Sequence, residues 1–319
     1  MPKMTQGRVW DRAGRSIPHD FRSLLIPVDL SPATERVVER AALLPLAKNA
    51  QLTLLHVVPR LLSREARRLA ESDATKALQH AVRNVAAKLP ESVKVMPSVK
   101  VGVAAAEIAR HARSCKAELI VMGRGGGRTL RDIFLGSTAE RVIRKGQLPV
   151  LVVRLQPHGA YRRPLLALDT DQAAQDVLTL TLRVLPPPRP QIGLVHAYDV
   201  PYHGLIYPSL SPDQGQEFRH HYRQKALHDI ARALATALAD MKASHDDAPS
   251  WKSHVRYGSP RTVIADTVAK AGADLLVLGT HGRAGVAHAL LGTVAGDVLR
   301  EVPCDVLVVP PRPQGSGRS

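Results

Sequence analysis

Cysteine is nearly absent from this chain: its 319 residues include two, Cys115 and Cys304. One thiol in each half excludes a disulfide framework and a multi-cysteine zinc site, and fits a reducing compartment, here taken to be the cytoplasm. Aromatic residues reach only 3%, too few for the stacking platform of a single-strand nucleic-acid binder. No apolar run approaches the roughly 18 residues of a membrane span. The opening MPKMTQGRVWDRAGRS has no apolar stretch behind its basic residues, so no secretory signal is expected. Neither the Gly-Lys-Ser/Thr of a Walker-type loop nor a Gly-x-Ser-x-Gly nucleophile elbow occurs. His220, His221 and His228 lack the i, i+4 spacing of a helical metal pair and read as surface histidines. A dedicated catalyst is therefore not expected.

Positive charge is in excess, with 44 Lys and Arg against 28 Asp and Glu. The excess is lopsided: residues 1–155 carry 27 basic and 13 acidic side chains, residues 156–319 carry 17 and 15. Without aromatic partners it reads as a solvated basic face rather than a nucleic-acid surface.

The chain repeats itself. Asp29 and His56 pair with Asp169 and His196 at an offset of 140, while Gly102, Gly123 and Gly136 pair with Gly258, Gly279 and Gly292 at 156. The second copy thus holds 16 extra residues between His196 and Gly258, expected in the loop-like VPYHGLIYPSLSPDQGQ. Each copy alternates short apolar runs with longer amphipathic ones, the pattern of parallel βα units covered on both faces. In copy one, strands are expected near Leu24–Val28, Leu52–Val57, Lys94–Val99, Leu119–Met122 and Val150–Val153. Helices are expected over Pro32–Lys48, Ser63–Ala87, Ala104–Ser114 and Ser137–Lys145, with Pro45 kinking or ending the first. The division is a tail over 1–20, domain one over 21–155, a linker over 156–161, domain two over 162–311 and a tail over 312–319.

Both copies carry Gly, two residues, Gly, nine residues, Gly, then Ser or Thr: Gly123, Gly126, Gly136 and Ser137, then Gly279, Gly282, Gly292 and Thr293. Glycines after a buried strand let a phosphate approach the backbone, and the helix that follows offers free N–H groups to an anion. Tight strand–helix turns would use the same glycines. The first strand of each copy ends in Asp29 or Asp169, placed either to meet a ribose hydroxyl or a metal, or to cap a helix. His56 and His196, at the ends of the second strands, suit a structural hydrogen bond.

On these residues the chain resembles the universal stress protein family in its tandem form, over about residues 21–155 and 162–311. The resemblance implies a doubly wound α/β fold, with a five-stranded parallel sheet of order 3-2-1-4-5 in each domain. It also implies ATP as ligand, with or without Mg2+, at the switch point between strands one and four. By that resemblance Gly123, Gly126, Gly127, Gly136, Ser137 and Thr138 wrap the phosphates, Asp29 meets the ribose and Val57 the adenine. Pro27, Met122 and Arg124 flank that site. Gly279, Gly282, Arg283, Gly292, Thr293, Asp169, Ala197 and Leu278 are the corresponding residues of copy two. Arg128 and Arg131 add charge near the first loop, and Asp171 stands where copy one has Ser31. The family's habit of pairing last strands implies an intramolecular pseudo-dimer through Val150–Val153 and Val306–Val309, with a homodimer as a further assembly. The expected role is a stress-response or signalling module with at most slow ATP hydrolysis. The alternative is an interaction protein with vestigial pockets.

Overall fold

The computed structural model describes residues 9–10, 16–17, 20–125, 137–145, 148–168, 174–198, 212–240, 249–280 and 291–311. Ahead of the first copy, β1 (Val9–Trp10) and β2 (Ser16–Ile17) pair antiparallel, a short ribbon inside the expected tail. Copy one then supplies β3 (Phe21–Pro27), β4 (Leu46–Pro59), β5 (Lys94–Gly102), β6 (Leu119–Gly123) and β7 (Val150–Val153). Copy two supplies β8 (Pro164–Ala167), β9 (Ile192–Tyr198), β10 (Trp251–Tyr257), β11 (Leu275–Gly279) and β12 (Asp305–Val309). All ten lie in one sheet of order β10-β9-β8-β11-β12-β7-β6-β3-β4-β5. Each copy has the order 3-2-1-4-5 with parallel neighbours, and β7 meets β12 antiparallel with Leu151 opposite Leu307. The two last strands, apolar and short, bury each other's edges as expected.

The helices of copy one are α1 (Ala33–Ala42), α2 (Arg64–Ala86), α3 (Ala104–Ser114) and α4 (Ser137–Arg144). Those of copy two are α5 (Ala174–Val184), α6 (Pro212–Asp240), α7 (Pro260–Ala271) and α8 (Thr293–Glu301). Local chemistry sets several ends. Ser63 accepts a hydrogen bond from the Ala66 N–H at the start of α2, and Ser259 one from the Thr262 N–H at the start of α7. Pro260 opens α7, and Gly272 closes it with φ +56°, a conformation that costs a residue without Cβ little.

Two expectations need correction. The first helix stops at Ala42, not Lys48, and β4 already begins at Leu46. Pro45 cannot donate to a helix and disfavours helical backbone at Leu44; its own carbonyl accepts from the Phe21 N–H at 2.7 Å. The β3–β4 register jumps from Phe21–Leu46 to Ser23–Gln51, around Asn49 with φ +67°. The insertion in copy two is also not all loop. Pro212–Gln216 belongs to α6, which has 29 residues against 23 in α2. Residues 201–211 lie outside the described residues.

The central strands, covered on both faces, are buried along most of their length, and the core forms two layers. Leu24, Leu54, Val121, Leu166, Leu194 and Val277 lie on the face packed by α1, α2, α5 and α6. Leu25, Leu55, Ile120, Leu165, Val195 and Leu276 lie on the face packed by α3, α4, α7 and α8. Both layers run without a break from one copy into the other.

A buried polar network crosses the same seam. Asp305, fully buried at the start of β12, accepts the Tyr161 hydroxyl at 2.7 Å and the N–H groups of Arg154 and Leu155 at 2.7 and 2.9 Å. Arg40 of α1, itself buried, pairs with the carboxylate at 3.2 Å, lies 4.0 Å from the Tyr161 ring centroid and donates to the Gly159 carbonyl at 2.8 Å. The Arg154 guanidinium reaches the carbonyls of Leu299 and Val302 at the end of α8, where a cation suits the helix dipole. Burial, then the Asp305 carboxylate, push the Tyr161 phenol well above its usual range. A charge in a doubly covered strand must find such partners. The repeat offset puts Pro149 at the copy-one position, so the network exists once.

Both thiols are reduced. Cys304 is buried, and desolvation pushes it up to about 12; burial also raises half-buried Cys115. Thiolate is the reactive form, and at pH 8 a thiol near 12 leaves about one part in 10^4 ionised. Ellman's reagent is therefore expected to miss Cys304 in native protein over minutes and to count both thiols in denaturant. Two rapidly reacting thiols in native protein would contradict the burial.

Candidate functional site

In a doubly wound sheet the carboxyl ends of the strands lie along one rim, and the crevice opens where the chain order reverses. Here those forks lie between β3 and β6 in copy one and between β8 and β11 in copy two. In copy one the β3–β4 ladder runs to Pro27, while the β3–β6 ladder pairs only Leu24 with Leu119 and Leu25 with Ile120. The two strands part beyond that point. In copy two the pairing continues to Ala167 opposite Leu278.

The described candidates stand on this rim. Pro27 ends β3, half-buried Val57 lies near the end of β4, and buried Met122 precedes Gly123 at the end of β6. Arg124 is half-buried just beyond, and Gly125 turns the chain with φ +67°. Ser137 and Thr138 open α4. In copy two, Ala197 lies in β9, and Leu278 and Gly279 end β11. Gly126, Gly127, Gly136, Asp169, Gly282 and Arg283 lie outside the described residues, as do Arg128, Arg131 and Asp171.

Copy two shows how the glycine-bounded loop closes. The Gly292 N–H donates to the Thr280 carbonyl at 3.0 Å, and the Thr280 N–H to Val309 at 3.0 Å. The two ends of the loop are thus tied at the rim beside β11 and β12. Gly292 is the N-cap of α8 and Thr293 its first residue, as the spacing predicts. A Cβ at Gly292 would lie 3.3 Å from the Thr280 carbonyl oxygen, which would have to give by a few tenths of an ångström. Among the described residues no side chain caps α8, and its first turn carries no acidic residue. That leaves the positive end of a helix pointing at the rim.

Asp29 is exposed and accepts the Ser31 N–H at 3.1 Å. The N-cap of α1 is Pro32 and the Ser31 hydroxyl accepts the Ala33 N–H at 3.3 Å, so Asp29 closes a turn ahead of the helix rather than capping it. Leu30, between them, has φ +59°, a rare conformation for a residue with a γ-branched side chain. No sequence signal marked it. The second-strand histidines behave alike in the two copies. His56 Nδ1 lies 2.9 Å from the Val28 carbonyl, and His196 Nδ1 lies 2.9 Å from the Leu168 carbonyl. A carbonyl only accepts, so Nδ1 carries the proton in both. Each ring pins the backbone just before Asp29 or Asp169, the structural role expected of it. Among the described residues no cluster of His, Cys, Asp and Glu could hold a metal ion, and no helix is long and apolar enough to cross a membrane.

Duplicated 3-2-1-4-5 sheets, with glycine-bounded rims at both switch points, define a tandem doubly wound α/β protein. The chain belongs to the universal stress protein family, which matches residues 20–154 and again 160–310. A universal stress protein from Mycolicibacterium smegmatis is 28% identical over 310 residues, covering 91% of this chain and 97% of its own length. One from Synechocystis is 27% identical over 150 residues, 47% of this chain and 97% of its own. A whole protein of that length therefore corresponds to one of the two copies. The crystal structure of a universal stress protein from Archaeoglobus fulgidus superposes with a TM-score of 0.64 at 18% identity. It covers 91% of this chain and 98% of the other, a likeness of fold. Family membership supports a role in the stress response.

Proposed function

We propose that each copy binds ATP at its switch point and that the protein acts as a nucleotide-responsive stress module rather than a dedicated catalyst. The observation that carries this is the rim of copy two: a glycine-bounded loop tied at Thr280 and Gly292, in front of a helix that no described side chain caps and whose first turn has no acidic residue. A loop that served only as a turn would gain from a capping side chain, and an anion replaces one. Gly123, Gly126, Gly127, Gly136, Ser137 and Thr138 take the phosphates in copy one, with Arg124 nearby. Gly279, Gly282, Arg283, Gly292 and Thr293 take them in copy two. The ribose lies at Asp29 or Asp169, and the adenine at the backbone of Val57 or Ala197. Mg2+ would neutralise the phosphates, most needed where Asp169 and Asp171 stand together.

Denaturing extraction of freshly purified protein followed by mass spectrometry should release adenine nucleotide at up to two per chain. No nucleotide in the extract, together with no binding at millimolar ATP in excess magnesium, would favour the interaction protein with vestigial pockets.

A further inference from the structure

On the α7 face of the copy-two sheet, a cavity of about 640 Å³ runs from the starts of β8 and β9 along β10 to Arg256. Its size lies within the range of small-molecule pockets. Six basic side chains line it: Arg162, Arg163, Lys252, His254, Arg256 and Lys270. They converge for simple reasons. Residues 252, 254 and 256 alternate along β10 and so share one face. Lys270 comes from the last turn of α7, and Arg162 and Arg163 lead into β8.

Among the described residues, the neighbouring Asp266 and Asp274 do not balance the five Lys and Arg side chains. Asp266 is shared by Arg256 at 3.5 Å and Lys270 at 3.8 Å. Asp274 is engaged by the main chain, accepting the N–H groups of Arg162 and Arg163 at 2.7 and 2.9 Å. Gly193 lets the Leu165 side chain pack directly over the β9 backbone in the wall, where a Cβ would collide with it. His254, half-buried, has its proton affinity lowered by burial and then by the Lys252 cation.

The repeat supplies an internal control. Offsets of 140 and 156 place Thr53, Met96, Ser98 and Ser114 in copy one where copy two has Gly193, Lys252, His254 and Lys270. Copy one keeps a basic residue at two of the positions, Arg22 for Arg162 and Lys100 for Arg256, and lacks one at those of Arg163, Lys252, His254 and Lys270. A generally solvated basic surface would follow the overall charge; here the charge follows a cavity.

We propose that this cavity is a second anion site, distinct from the glycine rims, which takes a small molecule carrying two or more phosphate groups. Phosphate brings up to two charges per group at neutral pH and matches the arginine fork and the lysine point charge. Pro164, Leu165 and Ala271 in the wall leave room for an organic part.

The test is calorimetric titration of the full chain with inorganic pyrophosphate in chelator, compared with Lys252→Met/Lys270→Ser. Both positions are exposed, and the change installs copy one's residues. Arg64→Ser/Lys76→Ser on the exposed side of α2 removes the same charge elsewhere and leaves the glycine rims intact. The cavity variant should bind pyrophosphate roughly tenfold more weakly and the control within about twofold of the parent. Lys252→Met alone, the milder variant, should lose about threefold, and pyrophosphate should raise the His254 pKa in the parent protein. Equal binding by the cavity and control variants, or no binding by the parent at millimolar pyrophosphate, overturns the site. Citrate binding more tightly than pyrophosphate overturns the phosphate assignment.

Discussion

Asp305→Ala should destabilise the folded chain by about 3–5 kcal/mol, the usual cost of removing one partner from a buried ion pair. The carboxylate is fully buried and receives the Tyr161 hydroxyl, two main-chain N–H groups and the Arg40 guanidinium. Its loss strands all four at once, and burial makes each unpaired group expensive. Arg40→Met should also be costly, because it leaves Asp305 charged and unpaired. The double substitution should then cost less than the sum of the two, with a coupling of about 1–3 kcal/mol. Urea and thermal unfolding of the four proteins supply the cycle. A loss below about 1 kcal/mol for Asp305→Ala, or strict additivity, would show that the seam rests on its apolar layers alone.

The same network marks where the sequence was legible and where it was not. The strands could be read because doubly covered strands are unbroken apolar runs, as in Leu119–Met122 and Val150–Val153. The duplication could be read because Gly123 and Gly279, or His56 and His196, recur at fixed offsets. Order 3-2-1-4-5 came from family resemblance, since periodicity does not rank strands across a sheet.

The amphipathic pattern of α1 runs on to Lys48, past the end of the helix at Ala42, while Pro45, expected to kink or end it, marks where it cannot continue. Pro212 and Gly215 read as turn residues and draw the insertion toward loop, yet Pro is at home in a first helical turn and Pro212 opens α6. Asp305 carried a signal that was passed over: it is the one charge in CDVLVV, a run that otherwise reads as buried strand. Its partners Arg40, Arg154 and Tyr161 lie 144 to 265 positions away, and no local pattern links them. Of the candidate site, the helix opening at Gly292–Thr293 was legible because capping chemistry is local. The Asx turn at Asp29 was not, because a carboxylate before Ser-Pro fits a cap as well as a turn.

Gly292→Val should weaken ATP binding in copy two by about a hundredfold while leaving the fold in place. Residue 292 has φ −56° and ψ 152°, a backbone that valine adopts without strain, so the effect is one of space. The Thr280 oxygen would lie 3.3 Å from the new Cβ, and it cannot retreat freely. It accepts the residue-292 N–H, and the Thr280 N–H is bound to Val309 of β12. The loop must therefore shift at the rim where the phosphates are proposed to lie, displacing the first-turn amides of α8 from a shared focus. A displacement of that kind erodes a phosphate cradle steeply, because its donors act together. Gly292→Ala, with one methyl group, should give an intermediate loss. The same titration on the parent protein should report two sites, and on Gly292→Val one, with thermal unfolding changed by only a few degrees. Unaltered stoichiometry and affinity in a folded Gly292→Val protein would reduce the loop to a strand–helix turn and remove the observation on which the nucleotide reading rests.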